Sequence, residues 1–396
     1  MDLATNGIRI HVSEKGHGER TIVFLHYWGG SSRSWRFVTE ALSDAYRTVA
    51  TDHRGWGHSD APADGYTIAD LADDAQGAIE ALGLSRYVIV GHSMGGKVAQ
   101  LLASRRLPGL EGLVLVAPSP PSPMLLSDEQ RAIQLSAYDS RESVGWVVDN
   151  LLTGSPLAAQ RREQVIEDSL RGAPQAKAAW PNVAMREDIT AEVANIDVPV
   201  LVIAGERDQV DRVETLRAEL LPRIAGARLQ VLPGVGHLSP LEAPSALVAA
   251  IRGFIGELRR GARTPAQIPV AFDAAFNAGD VNALIALFTE NATMRMTDGE
   301  IVASSLDTLR RQFAELLEPR PRISNTVRRI LASDDIALVL LDWTLTITLS
   351  DGSRHTKTGT ATQVTERGGD GAWRLRISNP LGLDQARKRD SGTASR

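Results

Sequence analysis

Apolar runs alternate with amphipathic stretches through the first 258 residues of the chain. The runs at 8–12, 21–26, 47–51, 87–90, 113–117, 200–204 and 228–232 are rich in Val, Ile and Leu. Several continue without a polar break, as parallel strands do when both faces are buried. The stretches between them, such as 68–82 and 94–105, repeat their apolar positions at helical spacing. Alternation of this kind predicts an α/β fold, a mostly parallel sheet covered by helices on both sides.

The alternation breaks at about 119–198, a segment that opens with Pro118-Ser119-Pro120-Pro121-Ser122-Pro123 and then reads only as helix. Helices inserted between two strands of such a sheet form a cap above its C-terminal edge. Trp146, Trp180, Tyr138 and Met185 fall in this segment. Most are expected to pack the cap onto the body, with Trp146 and Trp180 as candidates for the substrate pocket. Residues 259–264 are polar and contain Gly261, so they read as a linker from a first domain at 1–258 to a second at 265–383. Beyond the linker, helices are predicted at 265–277, 281–288 and 305–317, and strands at 324–332, 336–349, 354–365 and 373–378. Helices followed by an antiparallel sheet make an α+β domain. The small and charged residues at 384–396 predict a disordered tail.

With 396 residues, 43% hydrophobic and 23% charged, the chain has the composition of an ordinary globular protein of two or three domains. A net charge of −5 without a basic run gives no reason to expect nucleic acid or an anionic membrane as partner. There is no stretch of 18 apolar residues and no basic start resembling a signal peptide, so the expected compartment is the cytoplasm. The chain has no cysteine, which excludes disulfides and thiol catalysis; its eight histidines form no H-x-x-x-H pair, so neither a metal nor a cofactor is expected.

The sharpest chemical signal is Gly91-His92-Ser93-Met94-Gly95 between a predicted strand and a predicted helix. In that context G-x-S-x-G reads as a nucleophile elbow, which holds a serine hydroxyl out over the end of the sheet. A serine needs a base, and the base needs an acid to orient it. The strand at 200–204 leads into Gly205-Glu206-Arg207-Asp208, and the next leads into Gly234-Val235-Gly236-His237. Ser93, Asp208 and His237 are therefore the expected triad, with Glu206 and Asp211 as rival acids. Two backbone donors are expected to form an oxyanion hole: the N–H of Met94, and that of Trp28 in the loop Tyr27-Trp28-Gly29-Gly30, with Tyr27 close behind. Tyr27 is also a candidate to narrow the substrate pocket. His92, His53, His58 and Trp56 read as structural.

His26-Tyr27-Trp28-Gly29, Asp52-His53-Arg54-Gly55-Trp56-Gly57-His58-Ser59, the elbow, Gly205-Glu206-Arg207-Asp208 and Gly236-His237 occur in that order. On these motifs residues 1 to about 258 resemble the α/β-hydrolase superfamily, and within it the capped esterases, lactonases and cofactor-free haloperoxidase-like enzymes. The resemblance implies a serine hydrolase cleaving a small ester or lactone through an acyl-enzyme. Its alternatives are a C–C bond hydrolase or perhydrolase on the same triad, and a ligand sensor with vestigial turnover. Serine at the elbow separates the chain from the epoxide hydrolases and haloalkane dehalogenases, which use aspartate there. Tyr27 departs from the usual glycine after the first histidine.

Residues from about 265 to 383 resemble the ketosteroid-isomerase and nuclear-transport-factor-2-like (SnoaL-like) cone-shaped domains, on Ala271-Phe272-Asp273-Ala274-Ala275-Phe276-Asn277-Ala278-Gly279-Asp280, Leu287-Phe288-Thr289-Glu290-Asn291-Ala292 and Trp373-Arg374-Leu375-Arg376-Ile377-Ser378-Asn379-Pro380. Such domains often pair through a sheet face, which implies a homodimer or larger assembly. Asp342 and His355 are a less favoured pair for a second pocket.

Overall fold

The computed structural model describes residues 1–260, 262, 264–295, 301–303, 305–348, 353–368 and 371–382. The chain forms two compact units, Met1–Leu258 and Arg259–Arg396. The expected tail at 384–396 lies outside the described residues, as do positions 261 and 263 of the expected linker. The helix Pro244–Arg260 runs through the linker's first two residues.

The first unit holds eight strands: β1 (Asp2–Thr5), β2 (Ile8–Lys15), β3 (Thr21–Leu25), β4 (Arg47–Thr51), β5 (Tyr87–His92), β6 (Leu110–Val116), β7 (Val200–Gly205) and β8 (Arg228–Leu232). Their spatial order is β1-β2-β4-β3-β5-β6-β7-β8. β1–β2 and β2–β4 pair antiparallel, and the other five pairings are parallel. β1 was not visible as an apolar run because it is an edge strand whose side chains alternate between exposed and half-buried. The continuous apolar runs are accounted for by two cores. Val23, Leu25, Ile89, Leu113, Leu115 and Val202 face one side with the helices Ile68–Ala81 and Met94–Ser104. Ile22, Phe24, Val88, Val90, Val114 and Ile203 face the other, against the helix Pro244–Arg260. Between β6 and β7 the chain makes only helices, from Asp128–Ser136 to Thr190–Val193. Tyr138, Val144, Trp180 and Met185 of that segment join the first core.

In the second unit the helices Gln267–Ala278, Val281–Ile285 and Leu306–Leu317 accompany a six-stranded sheet. Its strands are β9 (Phe288–Arg295), β10 (Ile301–Ala303), β11 (Arg322–Ser333), β12 (Ile336–Thr348), β13 (Arg354–Arg367) and β14 (Trp373–Asn379), in the order β10-β9-β14-β13-β12-β11. The helix expected at 281–288 stops at Ile285, and Phe288 opens a strand whose Phe288, Ala292 and Met294 point into the core. Two strands therefore precede the last helix, and the β9–β14 pairing is parallel within an otherwise antiparallel sheet. No helix among the described residues is long and apolar enough to cross a membrane.

Candidate active site

The helix Met94–Ser104 begins directly after β5, and the turn between them forces Ser93 to φ 52° and ψ −116°. A side chain in that region costs on the order of 1–3 kcal/mol and persists only where its surroundings hold it. Here they do: Ser93 N donates to Val116 O at 3.1 Å, and Ser93 O accepts from the amides of Gly96, Lys97 and Ser119 at 2.8–3.1 Å. A β-carbon at Gly95 would lie 2.5 Å from His26 O and 2.6 Å from Leu25 O, so glycine is what lets the new helix sit against β3.

Two loops at the same edge of the sheet carry Asp208 and His237. His237 Nδ1 donates to Asp208 Oδ2 at 2.9 Å, with both side chains buried. The other carboxylate oxygen, Asp208 Oδ1, accepts from Val210 N at 2.8 Å and Asp211 N at 3.0 Å, which fixes the carboxylate's orientation. Burial disfavours the imidazolium of His237, but the charge and hydrogen bond of Asp208, with Asp211 and Glu242 nearby, outweigh it and raise the pKa above the ordinary histidine value. The strand of Ser93 is tied to the same loop. His92 Nε2 donates to His237 O at 2.9 Å, and the two rings lie 5.0 Å apart. Among the described residues no hydrogen bond joins Ser93 Oγ to His237 directly, a contact that commonly tightens only when substrate is bound.

Neither the Met94 nor the Trp28 amide has a backbone acceptor among the described residues. The Trp28 peptide is held by the cap: Tyr138 Oη donates to Trp28 O at 3.0 Å, Trp28 Nε1 donates to Lys177 O at 3.2 Å, and the rings of Trp28 and Tyr138 are 4.2 Å apart. Tyr27 is buried, with its ring 5.0 Å from that of His92. It is not among the residues lining the cavity beside Met94. His26 Nδ1 donates to Tyr27 O and its Nε2 accepts from His53 N, so this histidine is a neutral strut of the loop.

A small apolar cavity lies beside Met94, walled by Trp56, Tyr66, Leu71 and Trp180. Arg54 also reaches it, but its guanidinium is committed to Asp74 and to Gly65 O, leaving no free charge for a ligand. Trp180 thus lines the cavity, as does Trp56, which the sequence reading placed under a turn as filler. Trp146 does not: it sits on the cap with 56% of its surface exposed.

Lys97 and Glu242 escaped the sequence reading, and Asp211 entered it only as a rival acid. Lys97, one turn after Ser93, is fully buried and donates to the carbonyls of Ser122, Met185 and Glu187, and burial lowers its pKa to about 8. Burial likewise raises Asp211 to about 7, helped by the charge of Asp208 and opposed by that of His237. Glu242 lies under the His237 loop and accepts from Gly236 N. A charge among apolar neighbours was the only available signal for Lys97; nothing local marks Glu242.

A model of the alpha/beta hydrolase family matches residues 22–251, and one of the SnoaL-like domain matches residues 270–379. The dihydrolipoyllysine-residue acetyltransferase component of the acetoin cleaving system of Cupriavidus necator is 30% identical over 264 residues, covering 63% of this chain and 67% of that protein. A putative non-heme chloroperoxidase of Synechocystis is 29% identical over 252 residues, covering 58% of this chain and 88% of that one. The crystal structure of the enol-lactonase from Burkholderia xenovorans superposes with a TM-score of 0.58 at 25% identity, over 65% of this chain and all of that chain.

Proposed function

Because this chain belongs to the alpha/beta hydrolase family, we propose that it is a serine hydrolase cleaving a small carboxylic ester or lactone through an acyl-enzyme. The observation that carries the reading is the strained, rigidly held Ser93 at the sheet edge that also presents the buried His237–Asp208 pair. Ser93 Oγ attacks the carbonyl carbon while His237 Nε2 takes its proton. Asp208 keeps the Nδ1–H tautomer in place and stabilises the imidazolium. The amides of Met94 and Trp28 receive the oxyanion, a contribution worth roughly a hundred- to a thousand-fold in rate per donor. His237 then returns its proton to the leaving alkoxide. Water, activated by the same histidine, attacks the acyl-enzyme and frees the acid.

The apolar lining beside Met94, with its one cation already paired, favours an acyl group that is short and uncharged. The substrate is thus a small molecule with an apolar acyl part. The test is turnover of 4-nitrophenyl acetate with capture of the acyl-enzyme by mass spectrometry. Ser93→Ala should lose both while keeping the wild-type melting temperature; undiminished turnover by that variant removes the reading.

The second unit is proposed to mediate assembly into a homodimer. Supporting this is a row of apolar cross-strand partners on the outer sheet face, Leu331, Leu338, Val364 and Ile377, one from each of β11 to β14. Leu331 is 57% and Ile377 47% exposed, whereas the inner-face partners Val339, Gln363 and Ser378 are buried.

A further inference from the structure

The loops bearing Asp208 and His237 are both fastened to one stretch of the cap. That stretch is the wide π-helical turn Val148–Leu152 and the three residues after it. Gln209 Nε2 donates to Asn150 O at 3.2 Å and Arg207 Nη1 donates to Gly154 O at 3.2 Å, one from each side of Asp208. Leu238 N donates to Leu152 O at 2.9 Å, directly after His237. The backbones meet without side chains between them: a β-carbon at Gly154 would lie 2.7 Å from Gly236 N and 2.8 Å from Gly234 O.

At the centre is the carboxylate of Glu242. It accepts from Gly236 N at 3.1 Å, the residue that precedes His237, and from Gly154 N at 2.8 Å. The amide of Ser155 is a third donor to it. One anion thus gathers amides from two segments that are far apart in the chain, and each such charge-assisted bond is stronger than a neutral one. We propose that Glu242 is a positioning residue that makes the placement of His237 conditional on the seating of the cap. With Gly154 and Ser155 docked, the carboxylate is fixed and holds the Gly236 amide, and His237 stands over Ser93. When the cap stretch lifts, the carboxylate loses two of its three donors and the His237 loop loses its anchor. The nucleophile is then activated only in the closed, water-poor site. The inference rests on the reading of Ser93 and His237 given above.

The test measures how fast an ethyl 4-nitrophenyl alkylphosphonate labels Ser93. Ser93 Oγ attacks phosphorus, 4-nitrophenolate leaves, and the Oγ proton passes to His237, so the rate reports the nucleophile and base without deacylation. Two variants approach the junction from opposite sides. Glu242→Gln keeps the shape but offers one acceptor oxygen and turns an NH2 towards amide donors. Gly154→Ala lies wholly in the cap and pushes it off the Gly236 backbone. Both are expected to lower the labelling rate tenfold or more while remaining folded by circular dichroism. Glu242→Gln should also move the acid limb of the labelling rate to lower pH, since His237, which faces Asp208, Asp211, Glu242 and His92, loses one of three neighbouring carboxylates. Labelling of Gly154→Ala at the wild-type rate, or of Glu242→Gln within twofold of it with an unmoved acid limb, overturns the proposal. Should one variant fail to fold, the other decides alone. Wild-type protein that is not labelled at Ser93 overturns the nucleophile reading instead, so the two failures are distinguishable.

Discussion

Replacing Asp208 by asparagine isolates the electrostatic part of the proposed triad, because the structure dictates which way the new amide must face. Asp208 Oδ1 accepts from the amides of Val210 and Asp211, so the asparagine oxygen stays on that side. Its NH2 then occupies the place of Oδ2, 2.9 Å from His237 Nδ1. Two donors cannot share that contact, so the imidazole gives up its Nδ1 proton and carries it on Nε2, where it can no longer take one from Ser93. A reversal of this type lowers kcat by roughly 10⁴-fold, equivalent to about 5 kcal/mol on the barrier. Volume and backbone bonds are conserved, so the melting temperature should move by less than about 5 °C. Steady-state hydrolysis of 4-nitrophenyl acetate alongside differential scanning fluorimetry measures both. A variant keeping more than a tenth of wild-type kcat refutes the argument and shifts the acid's role to Asp211, since Glu206 is already engaged with Gly234 N.

Asp211→Asn provides the complementary pH experiment. Burial raises the Asp211 pKa to about 7, so the native state binds a proton that the unfolded chain releases near pH 4, and stability is lost as pH rises through that window. The asparagine variant should therefore melt higher than wild type at pH 8 and gain little at pH 4. It should also shift the acid limb of kcat/KM to lower pH, because one carboxylate that favours the His237 imidazolium is gone; an unmoved limb in the kinetic titration contradicts this. Trp180→Ala opens the cavity beside Met94 and should raise kcat/KM for 4-nitrophenyl hexanoate relative to the acetate by about tenfold; an unchanged ratio places the acyl group elsewhere. Leu338→Glu puts a charge in the middle of this partly exposed apolar row and should convert a dimer to a monomer in light scattering without loss of esterase activity, whereas a wild-type monomer rejects the assembly proposal.

Much of this architecture was legible because its signals are local. A buried parallel strand is a continuous apolar run, and an elbow is two glycines flanking a serine at the end of one. The pairing of Asp208 with His237 follows because each occupies the loop after such a strand. The misses occur where the deciding contact is distant or the segment short. Residues 281–288 carry apolar positions that fit either period, and only the core around Phe288 selects strand. Trp146 and Trp180 look alike on amphipathic cap helices, yet one is exposed and the other lines a cavity. Glu242 gains its partner from a glycine 88 residues earlier in the chain. No spacing rule encodes that kind of meeting.

Tyr138 Oη donates to the Trp28 carbonyl and the Lys177 carbonyl accepts from the Trp28 indole, and both partners belong to the inserted cap segment. Insertions between strands are ordinarily the freest part of a fold to diverge, because they can be exchanged without disturbing the sheet. Here the exchange has a toll: a cap grafted from a relative would bring new selectivity and also leave the peptide of Trp28, the proposed oxyanion donor, without its Tyr138 hydrogen bond. Lineages descending from this chain are therefore expected to tune substrate choice by point changes inside the cavity, at positions such as Trp180 and Ala176, and to keep the cap itself as inherited.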